Sequence, residues 1–378
     1  MSAVTAKSAS VDDLAFLRGP RPKPDPRYSG PPIGVVDLFA GCGAMTIGAI
    51  EGARRAGVSA ELQLAVDLSI PGLEVVEATL ETEAERVAAL DLTYLLDEGR
   101  DETKVVTERI AQQGRGAQLL LAGPPCQGHS ALNNHTRHDD VRNDLYLAVA
   151  EVSDLLKPAA VIVENVRGVG RDRRQAVDRC AIALVSQGYE VEEETLDVFD
   201  LGAPQRRIRH VLVATTKKGF DFDAMPRRPG RSVTWAIADL DGIDGNTLFD
   251  TSSVPTTENE NRMNWLIEEN AFDLPNDRRP RCHHDNHSYR SMYGRLRWDQ
   301  PAQTVTSGFG SMGQGRFVHP NSPRTLTPHE AARLQFLPDY MDFSGVEQRG
   351  HLATMIGNAV PPVLMISIVS SLIEQRLL

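Results

Sequence analysis

Short apolar runs separated by longer stretches with a helical apolar stripe mark the first 215 residues of the chain. Ile33–Ala40 (IGVVDLFA), Leu62–Asp67 (LQLAVD), Ala88–Leu92, Leu119–Ala122 (LLLA) and Ala159–Val163 (AAVIV) have the length of strands and little polar alternation. A strand that is apolar on both faces is one covered by helices on both faces, as in parallel sheets. Helical patterns follow Gly48, occupy Thr103–Gln112, run up to Leu156 and fill Gln175–Gln187. Two further strands, Tyr189–Leu196 and His210–Thr215, flank the loop Gly202–Arg209. The alternation predicts an α/β fold built on a doubly wound, mostly parallel, Rossmann-like sheet.

The pattern changes at Lys217. From there to about Pro323 apolar periodicity weakens and Pro, Asn, Asp and Thr accumulate, which predicts a separate, loop-rich module. Helical pattern resumes at Thr327–Gln335, with Thr327 as N-cap and Glu330 three residues later completing a capping box. The chain closes on Gly357-Asn358-Ala359-Val360-Pro361-Pro362 and the apolar helix Val363–Leu377, suited to dock on the sheet. The expected division is a flexible proline-rich leader over 1–32, a first domain over 33–216, a smaller domain over 217–345 and a returning segment over 346–378.

Chemistry gathers at the predicted strand ends. The first strand runs into Gly41-Cys42-Gly43-Ala44 and then a helix, the opening of a nucleotide-binding α/β unit. The second strand ends in Asp67, about 20 residues on, where a ribose hydroxyl pair needs an acceptor. Leu119–Ala122 breaks on Gly123-Pro124-Pro125 and presents Cys126, with Gln127, His129 and Ser130 behind it. Prolines have fixed φ, so this thiol is held rather than loose. Taken alone, Cys126 reads equally well as a small buried residue in a turn. Ala159–Val163 leads into Glu164-Asn165-Val166.

Four scattered cysteines (Cys42, Cys126, Cys180, Cys282) without a CxxC pair point to free thiols and a reducing, cytoplasmic setting. No uninterrupted apolar run in the sequence has the length of a membrane span. The formal net charge of −11 argues against a polyanionic partner until its distribution is considered. Glu51–Gln113 carries a net of −8, whereas Gln205–Arg231 carries +6 and Arg278–Arg297 carries +5, so a polyanion is expected on one side only. Cys282-His283-His284 and His287 lack a second pair of ligands, and no metal is expected there.

Read together, VDLFAGCGAMTIG, GPPCQGHS, VIVENV, APQRRIRHVLVA, RTLTPHEAARLQFLP and GNAVPP occur in this order from Val35 to Pro362. The chain thereby resembles the DNA cytosine-5 methyltransferases. The resemblance implies that Cys126 is a nucleophile adding to carbon 6 of cytosine, which turns carbon 5 into an enamine carbon able to attack a methyl donor. It implies that Glu164 is the acid at ring nitrogen 3, that Arg209 holds the exocyclic oxygen, and that Arg207 positions backbone phosphate or the Cys126 loop. The target base is flipped out of the duplex, and the loop Ala131–Asp144 sits where the family closes over it.

By the same resemblance the cofactor is S-adenosylmethionine, contacted by Phe39, Gly41, Gly43, Asp67, Asp91, Leu92, Leu145 and Asn358. Asp67 stands where the family usually has Glu, Ala44 replaces a common glycine and His129 a common phenylalanine. The Lys217–Pro323 region matches the family's target-recognition domain. Major-groove reading favours Arg, Lys, Asn and Gln on presented loops; Gln127, Ser130, Arg290, Arg295 and Arg297 are the expected DNA contacts. The implied partner is double-stranded DNA, bound by a monomer in a bacterial cytoplasm at the nucleoid, alongside a separately encoded restriction nuclease or defence protein. The family's tRNA-methylating branch shares the catalytic blocks, but its Cys-Phe-Thr signature is absent here. A catalytically inactive DNA-binding regulator is the other alternative, and the presence of Cys126, Glu164 and Arg209 weighs against it.

Overall fold

The computed structural model describes residues 12–22, 30–97, 99–125, 144–168, 175–243, 245–284 and 291–378. The apolar runs form a seven-stranded sheet in the order β3-β2-β1-β4-β5-β7-β6 among these residues. The strands are β1 Ile33–Leu38, β2 Ala60–Asp67, β3 Val87–Ala89, β4 Leu119–Ala122, β5 Ala160–Val166, β6 Glu190–Asp197 and β7 Ile208–Thr215. Pairings among β1 to β5 are parallel, and only β7, inserted between β5 and β6, runs antiparallel to both neighbours. The chain order reverses between β1 and β4, the switch point beyond which open α/β sheets bind ligands.

The fully buried strands are those read as uninterrupted apolar runs: every residue of β4 is buried, as are five of the six in β1. The edge strand β6 is different. It carries Glu190, Glu192, Glu193 and Glu194, all exposed, and such charge discourages pairing with another chain. Helices Ala44–Arg55 and Pro362–Glu374 pack closely through Gly48 and Gly52. A Cβ at Gly48 would lie 2.5 Å from the Pro362 carbonyl oxygen, and one at Gly52 2.9 Å from that of Ile366. The last helix thus docks on the sheet unit, as the sequence suggested, with helix Ala44–Arg55 as its main partner.

Two compact units result, with interleaved boundaries. The sheet unit comprises residues 23–197, 208–227 and 360–378; the other comprises residues 1–22, 198–207 and 228–359. Beside the expected smaller domain over 217–345, the chain leaves the sheet unit first over 198–207 and then over 228–359. The second unit has its own core of Met263, Leu266, Leu274, Met312 and Val318 beside helix Thr257–Glu268. The predicted capping box is present at helix Pro328–Leu334: Thr327 caps the Glu330 amide, and the Glu330 carboxylate accepts from the Thr327 amide.

The N-terminal leader corrects an expectation. Residues 12–18 form a helix that belongs to the second unit. Leu17 is fully buried, Phe16 stacks on Phe336, and the buried Asp13 carboxylate meets Arg228 at 3.1 Å and Arg231 at 2.9 Å. The proline run that suggested a loose segment begins only after this helix. The same ion pairs commit two arginines of the Gln205–Arg231 basic cluster to internal partners. One helical stretch, Arg349–Glu374, is long and apolar enough by composition to cross a membrane, beyond what the bare sequence suggested, yet 83% of its apolar window is buried inside the protein.

Candidate active site

The turn after β1 is built from three residues in the left-handed region: Phe39 (φ 61°), Gly41 (φ 55°) and Gly43 (φ 80°). A bulky residue rarely holds positive φ, and such strain concentrates where backbone is shaped for a ligand. Four anchors hold the turn. The Ala40 amide donates to the Val66 carbonyl at 3.0 Å, and the Gly43 amide to that of Ala40 at 2.8 Å. The Gly41 amide donates to Asp67 Oδ2 at 2.8 Å. Thr46, one turn into the helix, donates its hydroxyl to Asp37 Oδ2 at 2.6 Å. A Cβ at Gly43 would press on Val76 Cγ2 at 2.9 Å, so only glycine fits there, while the space in front of Gly41 is open.

Asp67 caps this arrangement from the end of β2, its Oδ1 accepting from the Ser69 amide at 2.7 Å. Each carboxylate oxygen keeps a second lone pair for a hydroxyl. Asp91 Oδ1 accepts from the Thr93 amide and hydroxyl at the head of the short helix Leu92–Leu96. Leu92 and Leu145 share one apolar cluster, with Phe39 packed against it. A backbone turn open at Gly41, a strand-end carboxylate and an apolar flank suit a nucleoside cofactor. Asn358 ends helix Arg349–Asn358 in the other unit, where it is exposed.

The sheet register places the second group of site residues. Arg209 pairs with Val166 across β5 and β7, two positions beyond Glu164, so their side chains lie diagonally on one face. Arg209 Nε reaches Glu164 Oε1 at 2.6 Å, with both side chains at most a tenth exposed. Arg209 Nη1 donates to the Ile208 carbonyl at 2.8 Å. Gly123, just after β4, lies beside the acid: a Cβ there would stand 4.0 Å from Glu164 Oε2, an ordinary contact. Asn165, which sequence reasoning passed over, donates from Nδ2 to the Pro124 carbonyl at 3.0 Å. That bond fixes the β4 turn to β5 two residues before Cys126. Its sequence signal was the buried polar pair Glu164-Asn165 at the end of an apolar strand.

Cys126, Gln127, His129, Ser130, Arg290 and His287 lie outside the described residues, as does the loop Ala131–Asp144 except its last residue. Cys42 and Cys180 are buried and poor nucleophiles. Burial pushes Cys42 and Cys180 up to about 12.

Two expected site residues carry internal hydrogen bonds. Arg207 is buried, and its guanidinium donates to the Val305 carbonyl at 2.7 Å and to that of Gly357 at 3.2 and 3.3 Å. Gln205 Nε2 donates to the Leu334 carbonyl and to Gln335 Oε1, while Gln335 Nε2 donates to the Ile356 carbonyl at 2.7 Å. Segments from four distant sequence blocks are thereby joined in the second unit. Arg295 is likewise buried, donating to the carbonyls of Pro320 (2.6 Å) and Leu266 (3.1 Å), because its chain position faces that unit's core. Arg297 remains exposed, its guanidinium 3.8 Å from the Phe272 ring centroid, and Arg278 lies similarly over Trp265 at 5.0 Å.

A mostly parallel sheet with a shaped glycine turn on β1 and a buried acid–arginine pair on β5 and β7 is a Rossmann-like methyltransferase fold. Its crystallographic neighbours agree: an E. coli prophage-encoded protein described as a DNA modification methyltransferase aligns with TM-score 0.62 at 22% identity, over 90% of this chain and 99% of that one. Schizosaccharomyces pombe Dnmt2 aligns with TM-score 0.57 at 16% identity, over 91% and 99%. At these identities the likeness is one of fold. Sequence narrows it further. The chain belongs to the C-5 cytosine-specific DNA methylase family, which matches residues 33–374, and is a DNA (cytosine-5-)-methyltransferase. It is 40% identical to the type II methyltransferase M1.BsuMI of Bacillus subtilis (strain 168), over 93% of this chain and 83% of that one. It is 28% identical to the type II methyltransferase M.XorII of Xanthomonas oryzae pv. oryzae, over 88% and 82%.

Proposed function

We propose that this enzyme methylates carbon 5 of a cytosine within a short, defined sequence of duplex DNA, using S-adenosylmethionine. The observation that carries the reading is the buried Glu164–Arg209 pair at 2.6 Å beside the turn that delivers Cys126. When bound, S-adenosylmethionine supplies an electrophilic methyl group. The flipped cytosine meets three groups of this chain. Cys126 adds as thiolate to carbon 6, forming a C–S bond and moving electron density to carbon 5. Glu164 donates a proton at ring nitrogen 3, so negative charge does not build on the ring. Arg209 orients Glu164 and offers its remaining N–H groups to the exocyclic oxygen. After transfer, the carbon-5 proton passes to water, the C–S bond breaks to release Cys126 as thiolate, and nitrogen 3 returns its proton to Glu164, restoring the aromatic ring.

The glycine turn and Asp67 support cofactor binding by Phe39, Gly41, Gly43, Asp67, Leu92 and Leu145, with Asp91 and Asn358 completing the set by family likeness. For DNA, the exposed arginines Arg278 and Arg297, each backed by an aromatic ring, supply cationic contacts, with Gln127, Ser130 and Arg290 joining by sequence. Arg295 is not among them. The relatives' designation as type II methyltransferases supports host-DNA protection in a restriction-modification or phage-defence system, in the bacterial cytoplasm, with the nuclease on another chain. Bisulfite sequencing of DNA from expressing cells tests the reading: one methylated motif is expected with the natural enzyme and none with Cys126→Ser. Methylation persisting in that variant, or confined to tRNA, overturns it.

A further inference from the structure

Asp37 is a full-length puzzle in an otherwise apolar strand. It lies in β1 between Val36 and Leu38, is fully buried, and pairs in register with Ala65 on β2 and Leu121 on β4. Its Oδ2 accepts from Thr46, and its Oδ1 is buried with no hydrogen-bond partner. A carboxylate held so is costly, because among the described residues no cation pairs with it and Thr46 alone supplies its hydrogen bonds. The charged or titratable groups around it offer no relief. Asp67, from the end of β2, has the same sign, and the Cys42 thiol in the glycine turn is neutral. On the β4 side its neighbour is Leu121. Burial first, and Asp67 in addition, push the carboxyl up to about 7 against the opposing side-chain and backbone hydrogen bonds from Thr46.

The position has a consequence for ligands. Asp37 and Thr46 bracket Phe39–Gly43, so their hydrogen bond closes the strand–turn–helix unit at its base. A cation bound above that turn stabilises the ionised form of a carboxyl beneath it. S-adenosylmethionine bears a sulfonium charge, and its product S-adenosylhomocysteine does not. We propose that Asp37 is a positioning residue that couples donor binding to a proton: ionised under the sulfonium donor, protonated under the neutral thioether product, and so favouring donor over product. The proton passes to solvent when the donor binds and returns when product replaces it. This inference rests on S-adenosylmethionine being the cofactor.

Calorimetric titration of the purified enzyme with each ligand, without DNA, tests it. Since each unit of downward shift in Asp37 is worth tenfold, S-adenosylmethionine affinity is expected to rise about five- to tenfold from pH 5.5 to pH 8. S-adenosylhomocysteine affinity is expected to change less than about twofold over the same range. Buffers of different ionisation enthalpy should report proton release with the first ligand only. Asp37→Asn removes the difference. Thr46→Val, which keeps Asp37 but removes its donor, moves the midpoint to higher pH, and Thr46→Ser returns it. Equal pH profiles for the two ligands, or an unaltered profile in Asp37→Asn, overturn the proposal while leaving the cofactor reading intact. Failure of S-adenosylmethionine to bind at any pH overturns the cofactor reading itself.

Discussion

Replacing Arg207 by methionine keeps the length of the side chain and removes its charge and its donors. Among the described residues, the natural guanidinium makes three hydrogen bonds to two buried carbonyl oxygens, of Val305 and Gly357. A hydrogen bond from a charged donor contributes about 1.5–3 kcal/mol. Simple addition overstates the loss here. One bond is short at 2.7 Å, the two to Gly357 share an acceptor, and Gln335 Nε2 still reaches both oxygens at 3.4 and 3.2 Å. No acceptor is orphaned, so a loss of about 2–4 kcal/mol is expected. For a unit of this size that lowers Tm by about 5–15 °C. Differential scanning calorimetry reads the shift directly, and methyl transfer should recover on cooling well below the new Tm. An unchanged Tm with transfer lost at every temperature would show instead that Arg207 works on the substrate.

Glu164→Gln keeps the shape of the buried acid but offers nitrogen 3 no proton, so radiolabelled methyl incorporation should fall by about 10²-fold or more while S-adenosylmethionine binding persists. Gly52→Val pushes side-chain atoms into Ile366 and Val369 of the last helix; overpacking of this kind costs about 1–3 kcal/mol, measurable by chemical denaturation, and an unchanged midpoint would refute the contact. His329 bridges Asp250 at 2.9 Å and Asp339 at 3.1 Å. Burial alone would lower its pKa, but the hydrogen bonds it donates to Asp339 and Asp250 outweigh it and the value is raised above 6.5. Its stabilisation is therefore present in full below the unfolded value and lost as pH rises through the folded one. The Tm gap between the natural enzyme and His329→Gln should narrow between pH 6 and pH 9, and a gap that widens refutes the bridge.

What could be read in advance and what could not divide by the range of the forces involved. β4, β5 and the Thr327–Glu330 capping box were legible because apolar runs and caps are decided by neighbours a few residues apart. Glu164 and Arg209 were legible as a motif, and their meeting follows from the β5–β7 register. The roles of Arg207 and Arg295 were not. Both carry the charge that suggests a phosphate or base, and only tertiary structure shows carbonyls from 24 to 150 positions away converging on them. The helix at residues 12–18 was hidden by the prolines after it, since its anchors, Arg228, Arg231 and Phe336, lie more than 200 residues downstream. Asp37 could have been noticed sooner: one acidic residue inside a fully apolar strand asks for a reason.

The pairing of helix Ala44–Arg55 with helix Pro362–Glu374 joins nearly the first and nearly the last structured segments of the sheet unit. During synthesis, the Gly48–Gly52 surface emerges from the ribosome hundreds of residues before its cover exists. The glycine turn leads into that same helix, so the packing that supports it is complete only once helix Pro362–Glu374 has been added, more than 300 residues later in the chain.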